Sequence, residues 1–306
     1  MPPANAHKAE TVDAPAIATP TVLLADFFRL TKPRLSTLVI ATTAGGLWLA
    51  PGRVDVLRAL LTLLAVTLVV GAANALNCYI ERDSDRFMSR TRERPLPAGR
   101  MAPQTALWFG IGLAAIAIPL LTVTANLLTG FLGLVAFLSY VLVYTPMKQR
   151  SSAAMLVGGI PGALPPLMGW TAVTGRLDLG GLVLFAILFL WQIPHFIAIA
   201  LFRKEEYAAA GIKVVTNERG DAYSRFYAVI YTVPLVAITV LPFSMGLAGK
   251  WYLGTAVVLG LAFLGTAVWG FVKELGKPWA RQLFFVSLIY LTGLFIALAL
   301  DATPRF

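Results

Sequence analysis

Long apolar segments alternate with short polar ones along most of the 306-residue chain. Each of the apolar segments is close to the ~20 residues that a helix needs to cross a bilayer. Isolated strands are excluded, because a segment in lipid satisfies its own backbone hydrogen bonds only as a helix. The pattern therefore predicts an all-α polytopic membrane protein, a bundle of nine transmembrane helices at residues 35–50, 56–78, 104–124, 127–145, 153–172, 180–202, 226–247, 252–272 and 282–300.

The composition and the N-terminal segment complete the predicted architecture. The chain is 58% hydrophobic and 13% charged, whereas a soluble domain is about half apolar and about a quarter charged. Residues 1–25 are rich in Ala, Pro and Thr and lack a basic stretch followed by an apolar one, which indicates a disordered tail rather than a signal peptide. Residues 26–306 then form one intramembrane domain. Its single cysteine, Cys78, excludes an intramolecular disulfide.

The cations are distributed unevenly between the two sides of the predicted bundle. Polar segments on the side of the N-terminus carry 20 of the 25 Lys and Arg residues, and those on the other side carry 5. Because cytoplasmic loops collect Lys and Arg, we expect the N-terminus in the cytoplasm and the C-terminus in the periplasm of a bacterial inner membrane. Anionic membrane lipid is then a sufficient partner for the net charge of +10, and no nucleic acid is needed.

The predicted second span ends in a dense block of charge, ALNCYIERDSDRFMSRTRERPLPAGR, at residues 75–100. On one continuous helix, Asn74, Asn77, Glu81 and Asp85 would share a face, since their spacing follows the helical repeat. Amide and carboxylate oxygens at one-turn intervals suit Mg²⁺, and the arginines that follow can hold phosphate oxygens. The alternative is a solvated helix end with internal ion pairs. Two asparagines inside an apolar segment favour a functional site, because polar groups in a membrane are costly.

A second polar block, WQIPHFIAIALFRKEEYAAAGIK, covers residues 191–213. On a helix, Gln192, His195, Arg203 and Glu206 would lie near one face, with the acidic end on the same side as the first block. The two acidic helix ends could each bind a metal ion and bind one diphosphate between them. A lone histidine such as His195 is either a hydrogen-bonded structural residue or a substrate contact, through iron ligation or through orientation of an acidic or macrocyclic acceptor.

Prolines and glycines mark two further features of the predicted helices. Pro194, just before the histidine, predicts a kink that widens a cavity. The segment GGIPGALPPLMGW, residues 158–170, holds four glycines and three prolines. It predicts an irregular helix with close packing, or a wall for a flat ligand.

Several of these motifs are similar to those of one membrane enzyme family. They are NALNCYIERDSDRFMSRTRERPLPAG, LTKPR, YTPMKQR, GGIPGALPPLMGW, WQIPHF and EEYAAAGI. At these residues the sequence resembles the UbiA-type intramembrane prenyltransferase superfamily, and PGALPPLMGW together with WQIPHF indicates its heme-modifying branch. The motifs span about residues 28–213, and the last three predicted spans match by pattern only.

The resemblance implies a bundle with a central cavity that opens laterally, in which Mg²⁺ assists the ionisation of farnesyl diphosphate. It also implies that a vinyl group of heme B is the acceptor and that heme O, used for terminal oxidase biogenesis, is the product. Heme A synthase and terminal oxidase assembly proteins are the implied protein partners.

The resemblance implies roles for individual residues of this chain where they match the family's motifs. By resemblance, Asn77, Glu81 and Asp85 match the first metal motif and are expected to be catalytic, although Glu81 stands where the family usually has Asp. In the second motif Arg203 and Tyr207 occupy the usual Asp places, which leaves Glu206 as the candidate metal ligand. The resemblance implies diphosphate contacts for Arg86, Arg94, Lys148, Arg203 and Lys213, and heme contacts for Arg34, Gln192 and His195.

Three other functions fit parts of the sequence. A prenyltransferase of the same fold that acts on a quinone precursor or a chlorophyll-like acceptor would share the first motif. A transporter would place its charges at the bilayer midplane, whereas both acidic blocks lie at one side. A non-catalytic assembly factor for a respiratory complex would give no reason for amides and carboxylates at helical spacing.

Overall fold

The computed structural model describes residues 20–302, apart from the side chains of residues 20–23, Arg34 and Leu35. Within this range the chain is almost entirely helical. The helices are α1 Pro20–Leu30, α2 Pro33–Leu49, α3 Val56–Glu81, α4 Pro103–Thr124, α5 Leu127–Leu138, α6 Thr145–Met147, α7 Ala154–Thr174, α8 Leu179–Phe202, α9 Lys204–Ala209, α10 Val215–Glu218, α11 Gly220–Ile238, α12 Leu241–Ser244, α13 Lys250–Val272 and α14 Lys277–Leu300. A 3₁₀ turn, Ser84–Phe87, follows α3, and a π-helical segment, Ser139–Tyr144, joins α5 to α6.

Eight helical segments of the described chain are long and apolar enough to cross a membrane, so this is an integral membrane protein. The predicted first span corresponds to α2, which has only 17 residues and whose apolar part is Ser36–Leu49. The other predicted spans fall on the long helices. The largest boundary error is at α11, which begins at Gly220 rather than at residue 226 and ends at Ile238 rather than at residue 247. The all-helical prediction is confirmed, with eight long spans and one shorter apolar helix.

Helix α1 begins at Pro20, within the segment 1–25 that was predicted to be a tail. Asp26 is buried in α1 and pairs with Arg100, whose guanidinium nitrogens lie 3.2–3.4 Å from its carboxylate oxygens. Phe27 packs on Phe109 with ring centroids 4.8 Å apart. These contacts fix α1 to the rest of the bundle. Residues 1–19 lie outside the described part of the chain.

The polar loops meet at two opposite ends of the bundle. At the end that we call the basic end, the backbone N–H of Lys213 donates to the carbonyl of Lys148 at 2.7 Å, and Lys277 contacts Glu205 at 2.7 Å. At the other end, Asn126 donates to the carbonyl of Thr171 at 2.7 Å. This arrangement agrees with the alternation of basic and weakly charged loops in the sequence.

Helix α2 extends from one end to the other despite its length. Lys32, just before it, donates a hydrogen bond to Asn77 at the basic end. Gly52, just after it, lies against Val173 near the opposite end of α7. At ~1.5 Å per residue, a helix of this size covers most of a ~30 Å hydrocarbon layer.

Two glycines bring α2 and α7 into backbone contact. A Cβ on Gly46 would lie 2.0 Å from the carbonyl oxygen of Pro166, and a Cβ on Gly169 would lie 2.1 Å from that of Thr43. The close packing predicted for residues 158–170 is confirmed. The predicted irregularity is wrong, since α7 remains a continuous helix through Pro161, Pro165 and Pro166, as membrane helices tolerate when their neighbours are tightly packed.

We expect Gly46→Ala to destabilise the protein by more than about 3 kcal/mol, since both backbones would have to separate. Gly112→Ala is the matched control, because Gly112 is a helical glycine with open space at its Cβ position. The midpoint of thermal unfolding in detergent should fall strongly for the first variant and stay unchanged or rise for the second. Equal midpoints would contradict the close approach of α2 and α7.

Candidate active site at the basic end

The polar residues of α3 do not share one helix, as the sequence predicted. Helix α3 ends at Glu81, and Asp85 lies on the 3₁₀ turn that follows. The hydroxyl of Ser84 donates to the carbonyl of Glu81 at 3.0 Å, and the guanidinium of Arg82 donates to that of Tyr79 at 2.7 Å. These side chains satisfy carbonyls that a longer helix would have used. Asn74, Asn77 and Glu81 therefore lie on one helix as predicted, whereas Asp85 does not.

Asn77 is fully buried, and its amide has a fixed orientation. The hydroxyl of Thr145 donates to the carbonyl of Tyr140 at 2.8 Å, so it accepts from the amide nitrogen of Asn77, 3.1 Å away. The oxygen Oδ1 of Asn77 therefore points to the other side, where Lys32 donates to it. Burial lowers the pKa of Lys32.

Glu81 forms a second cation–oxygen pair. Its Oε1 lies 2.8 Å from Nζ of Lys148, and this ammonium also lies 4.5 Å from the centroid of the Tyr144 ring. Burial alone would lower the pKa of Lys148, but the neighbouring Tyr144 and Glu81 raise it well above its usual value. Lys148 is thus a permanent cation beside the carboxylate.

Asp85 forms a third pair and is buried. Its Oδ2 lies 2.6 Å from the guanidinium of Arg94, and its carbonyl accepts from the hydroxyl of Thr91 at 2.7 Å. The arginine-rich loop is thereby folded back over the end of α3. Arg94 is mostly buried, whereas the predicted diphosphate ligand Arg86 is exposed and has no ion-pair partner among the described residues.

The three pairs form one cluster at the end of α3, since Asn77 and Glu81 are one turn apart on this helix and Asp85 lies on the turn that follows. It presents one amide oxygen and two carboxylates, which is a donor set that Mg²⁺ accepts when substrate phosphates and water supply the rest. Among the described residues, no group of three or more His, Cys, Asp and Glu side chains could hold a metal. A metal here therefore depends on the amide of Asn77 and on oxygens from a substrate.

The second acidic block is divided between two helices, in contrast to the prediction. Helix α8 ends at Phe202, and Arg203 lies between it and α9. Glu206 is paired with Arg203 at 3.0 Å, and Glu205 points to Lys277. Lys213 is exposed, although its backbone N–H donates to the carbonyl of Lys148.

Gln192 and His195 contact different helices rather than one shared partner. The amide of Gln192 donates to the carbonyl of Gly159 on α7 at 3.2 Å. The imidazole of His195 is hydrogen-bonded through Nδ1 to the hydroxyl of Ser287 on α14, 2.7 Å away. Helix α8 continues through Pro194. The third residue predicted to contact heme, Arg34, has a side chain outside the described part of the structure.

The tautomer of His195 follows from its neighbours. Because the hydroxyl of Ser287 donates to the carbonyl of Phe284 at 2.6 Å, it accepts from Nδ1–H of His195. The lone pair is then on Nε2, which has no hydrogen-bond partner among the described residues. The ring packs between Trp191 and Phe284, with centroid distances of 4.6 and 4.8 Å. This arrangement holds a neutral imidazole in one orientation.

The sequence of the chain matches one known family of membrane enzymes. Residues 38–289, most of the chain, match the UbiA prenyltransferase family. The chain belongs to the UbiA prenyltransferase family. A relative from Myxococcus xanthus (strain DK1622), named protoheme IX farnesyltransferase, is 65% identical over 294 residues, which cover 96% of this chain and 100% of the relative. A relative of the same name from Anaeromyxobacter dehalogenans (strain 2CP-C) is 52% identical and covers 95% of this chain and 98% of its own length.

Several solved structures share the fold. A structure of digeranylgeranylglyceryl phosphate synthase superposes with a TM-score of 0.79 at 19% identity, covering 91% of this chain and 98% of that chain. A UbiA homolog from Archaeoglobus fulgidus, bound to GPP and Mg²⁺, gives a TM-score of 0.64 at 15% identity, covering 90% of this chain and 99% of that chain. At these identities the likeness concerns the fold.

Two residues of this cluster were not singled out in sequence, since Lys32 looks like an ordinary topology signal and Thr145 looks like a helix residue. Lys148, by contrast, was expected by resemblance to contact diphosphate. Tyr207, on α9 in the second acidic block, is partly buried, and burial raises its pKa. The motif YTPMKQR was the available signal for Tyr144, Thr145 and Lys148.

A surface groove beside the second acidic block is separate from the cluster. It has a volume of about 420 Å³ and lies between α8, α9 and the loop before α14. Its polar lining comes from Lys204, Glu205, Asn217, Asp221 and Lys277. None of the candidate metal-binding oxygens lines it. This groove is therefore not the predicted central cavity.

Proposed function

We propose that this protein transfers a farnesyl group from farnesyl diphosphate to a vinyl group of heme B, with addition of water, to give heme O. The observation that carries the proposal is the 65% identity, over nearly the whole chain, to a relative named protoheme IX farnesyltransferase. The cluster of oxygens and cations at the basic end supplies the chemistry that such a transfer needs.

The donor set of the cluster fits Mg²⁺, which would be held by Asn77, Glu81 and Asp85. When bound there with a diphosphate, the ion neutralises charge on the leaving group. Glu206 is the candidate ligand for a second ion from the other acidic block, and its ion pair with Arg203 would have to open first. A UbiA homolog of known structure binds GPP and Mg²⁺ together.

The cations of this chain would hold the diphosphate. Lys148 and Arg94 are already positioned at the two carboxylates, and a guanidinium binds phosphate oxygens in bidentate fashion. Arg203 and Lys213 would contribute from the second block, and Arg86 from the exposed rim. Charge that develops on the leaving diphosphate as the C1–O bond breaks is stabilised by these fixed cations.

The apolar interior would protect the allylic cation that remains. Such a cation must be shielded from early capture by water, and a cavity within the helix bundle excludes water. The electron pair of the heme vinyl group forms the new bond to C1 of the farnesyl group. Water then adds to the resulting heme-side cation and loses a proton, which leaves a hydroxyethylfarnesyl substituent and free diphosphate.

The acceptor would bind on the side of α8 and α14. His195 and Gln192 are the candidate heme contacts, with Arg34 as a third. The Nε2 lone pair of His195 can ligate iron or accept a hydrogen bond, and either contact would orient the macrocycle. The donor and acceptor ends of the site are thus assigned to different helices.

The nearest alternative acceptors are a quinone precursor and a chlorophyll-like molecule. To distinguish them, membranes that contain the protein are incubated with farnesyl diphosphate and either heme B or 4-hydroxybenzoate. We expect prenylation of heme B only. Prenylation of 4-hydroxybenzoate alone would replace the proposed acceptor while leaving the donor site intact.

We also propose that all nine apolar helices, including α2, cross a bacterial inner membrane around a central cavity, with the basic end in the cytoplasm. The unequal distribution of 20 and 5 cations supports this orientation. Heme A synthase and terminal oxidase assembly proteins would be the partners that receive the product.

A reporter fused after Phe306 tests this topology. With nine crossings and a cytoplasmic N-terminus, the reporter should behave as periplasmic, so alkaline phosphatase should be active there and green fluorescent protein should not. A second fusion within residues 148–153 should behave as cytoplasmic. A cytoplasmic reporter at the C-terminus would mean that α2 does not cross the membrane.

A further inference from the structure

We propose that Lys32 is a positioning residue that competes with the divalent cation for the amide oxygen of Asn77, so that metal and diphosphate bind as one linked event. The inference rests on the proposed metal site and goes beyond it, because Lys32 belongs to neither the metal ligands nor the diphosphate contacts assigned above. Three observations support it, namely the backbone conformation of Lys32, the orientation of the Asn77 amide and the net charge of the cluster.

Lys32 has an unusual backbone conformation. With φ 52° and ψ 62° it is in the left-handed region, and the only other non-glycine residue of the described chain with positive φ is Glu274. A residue with a Cβ is disfavoured there and persists when its surroundings require it. The turn between α1 and α2 thus holds Lys32 in a conformation that directs its side chain to α3.

Helix α3 itself fixes this turn. The amide of Asn74 donates to the carbonyl of Thr31 at 3.1 Å, directly before Lys32 in the chain. Asn77, one turn further along α3, receives the ammonium. The two asparagines that the sequence placed in phase therefore have separate roles, since Asn74 anchors the backbone and Asn77 binds the side chain.

The amide oxygen of Asn77 cannot bind the ammonium of Lys32 and a divalent metal ion at the same time. Thr145 fixes the amide nitrogen on one side, so only Oδ1 faces the cluster, and Asn77 is fully buried. An ammonium and a divalent metal on the same oxygen would be like charges within a few ångströms of each other in a poorly solvated site. Binding of the metal therefore requires the ammonium of Lys32 to leave Oδ1.

The charge of the cluster determines where that ammonium goes. Lys32, Lys148 and Arg94 face two carboxylates, those of Glu81 and Asp85. A divalent cation alone would add positive charge to a cluster that already has an excess of it. A diphosphate reverses this balance and gives the displaced ammonium, which has three donors on a flexible stem, a new acceptor. Metal should therefore bind weakly without diphosphate and tightly with it.

The test measures the affinity of purified protein in detergent for Mn²⁺, followed by the loss of its free-ion electron paramagnetic resonance signal. It is made with and without farnesyl S-thiolodiphosphate, an unreactive analogue. In the unaltered protein we expect the analogue to tighten Mn²⁺ binding by at least ~5-fold, the lower end of common coupling between sites. Equal affinities with and without the analogue would overturn the proposal even if no variant folded.

Lys32→Met should bind Mn²⁺ at least ~5-fold more tightly than the unaltered protein when no analogue is present, and it should lose most of the tightening that the analogue causes. Lys32→Arg, which keeps the charge, should not gain affinity. Lys204→Met is the matched control, because Lys204 pairs with Asp221 at 2.8 Å at the same end of the bundle but outside the cluster. Its Mn²⁺ affinity should not change.

An unchanged or weakened Mn²⁺ affinity in Lys32→Met would show that Lys32 does not compete with the metal for Asn77 and would overturn the proposal. Failure of the proposed function itself would look different. If Asn77→Ala bound Mn²⁺ as well as the unaltered protein, the metal site would be wrong. If heme B were not farnesylated while the Lys32→Met effect was present, the acceptor would be wrong and the competition would stand.

Discussion

We expect Asp85→Ala to abolish farnesyl transfer while the protein remains folded in the membrane. Asp85 is buried, holds Arg94 at 2.6 Å and supplies one of the two carboxylates of the candidate metal site. Loss of one group that stabilises developing charge commonly lowers kcat by about 10²- to 10³-fold. Here the carboxylate and the position of Arg94 are lost together, so the decrease should reach at least the upper end of that range.

The measurement is product formation per amount of folded protein in membranes. Asp83→Ala is the matched control, because the side chain of Asp83, a neighbouring carboxylate, is 72% exposed and its one ion pair among the described residues is with Arg82. It should retain activity. Asp85→Asn keeps the shape of the side chain and should also be inactive. Turnover that persists undiminished in Asp85→Ala, or in EDTA, would remove the metal site from the account.

His195→Ala should weaken heme binding by about 10-fold or more, since a ligand or an orienting hydrogen bond to a charged centre contributes about 1.5–3 kcal/mol. The affinity for farnesyl diphosphate should remain nearly unchanged, because His195 is held by Ser287 on α14 and contacts none of the paired residues at the end of α3. Both affinities are measured in the same purified variant, by absorbance titration with heme and by displacement of labelled farnesyl diphosphate.

His195→Phe separates a ligand from a packing residue. Phenylalanine can still stack between Trp191 and Phe284, but it has no nitrogen lone pair. If His195 contacts heme through Nε2, this variant should lose heme affinity as the alanine variant does. Normal heme affinity in His195→Phe would leave His195 with a structural role, and a selective loss of diphosphate affinity would move it to the donor end of the site.

The membrane helices could be predicted from sequence because lipid leaves few alternatives. An apolar segment such as Leu179–Phe202 must be helical, and its length is set by the bilayer. The end of α3 could not be predicted in the same way. Ser84 and Arg82 satisfy carbonyls of the last turn, and periodicity alone does not reveal such a stop. Asp85 was therefore predicted on α3, although it lies on the 3₁₀ turn that follows.

The contacts across the site depend on partners that are distant in sequence. Lys32 and Asn77 are 45 residues apart, Lys148 and Glu81 are 67 apart, and His195 and Ser287 are 92 apart. Asn, Glu and Asp in an apolar context indicated a site, because such groups are costly in a membrane. The cations gave a weaker signal by themselves, since the preference for positive cytoplasmic loops already accounted for them. The resemblance indicated Arg94 and Lys148, and nothing indicated a role for Lys32.

Farnesylation of heme B can be measured as the mass of the heme extracted from membranes after overexpression. We expect a new heme whose mass exceeds that of heme B by one farnesyl group and one hydroxyl group, present with the unaltered protein and absent with Asp85→Asn. If folded protein accumulated in the membrane and the extracted heme remained heme B, with farnesyl diphosphate available, the proposed farnesylation of heme B would be contradicted.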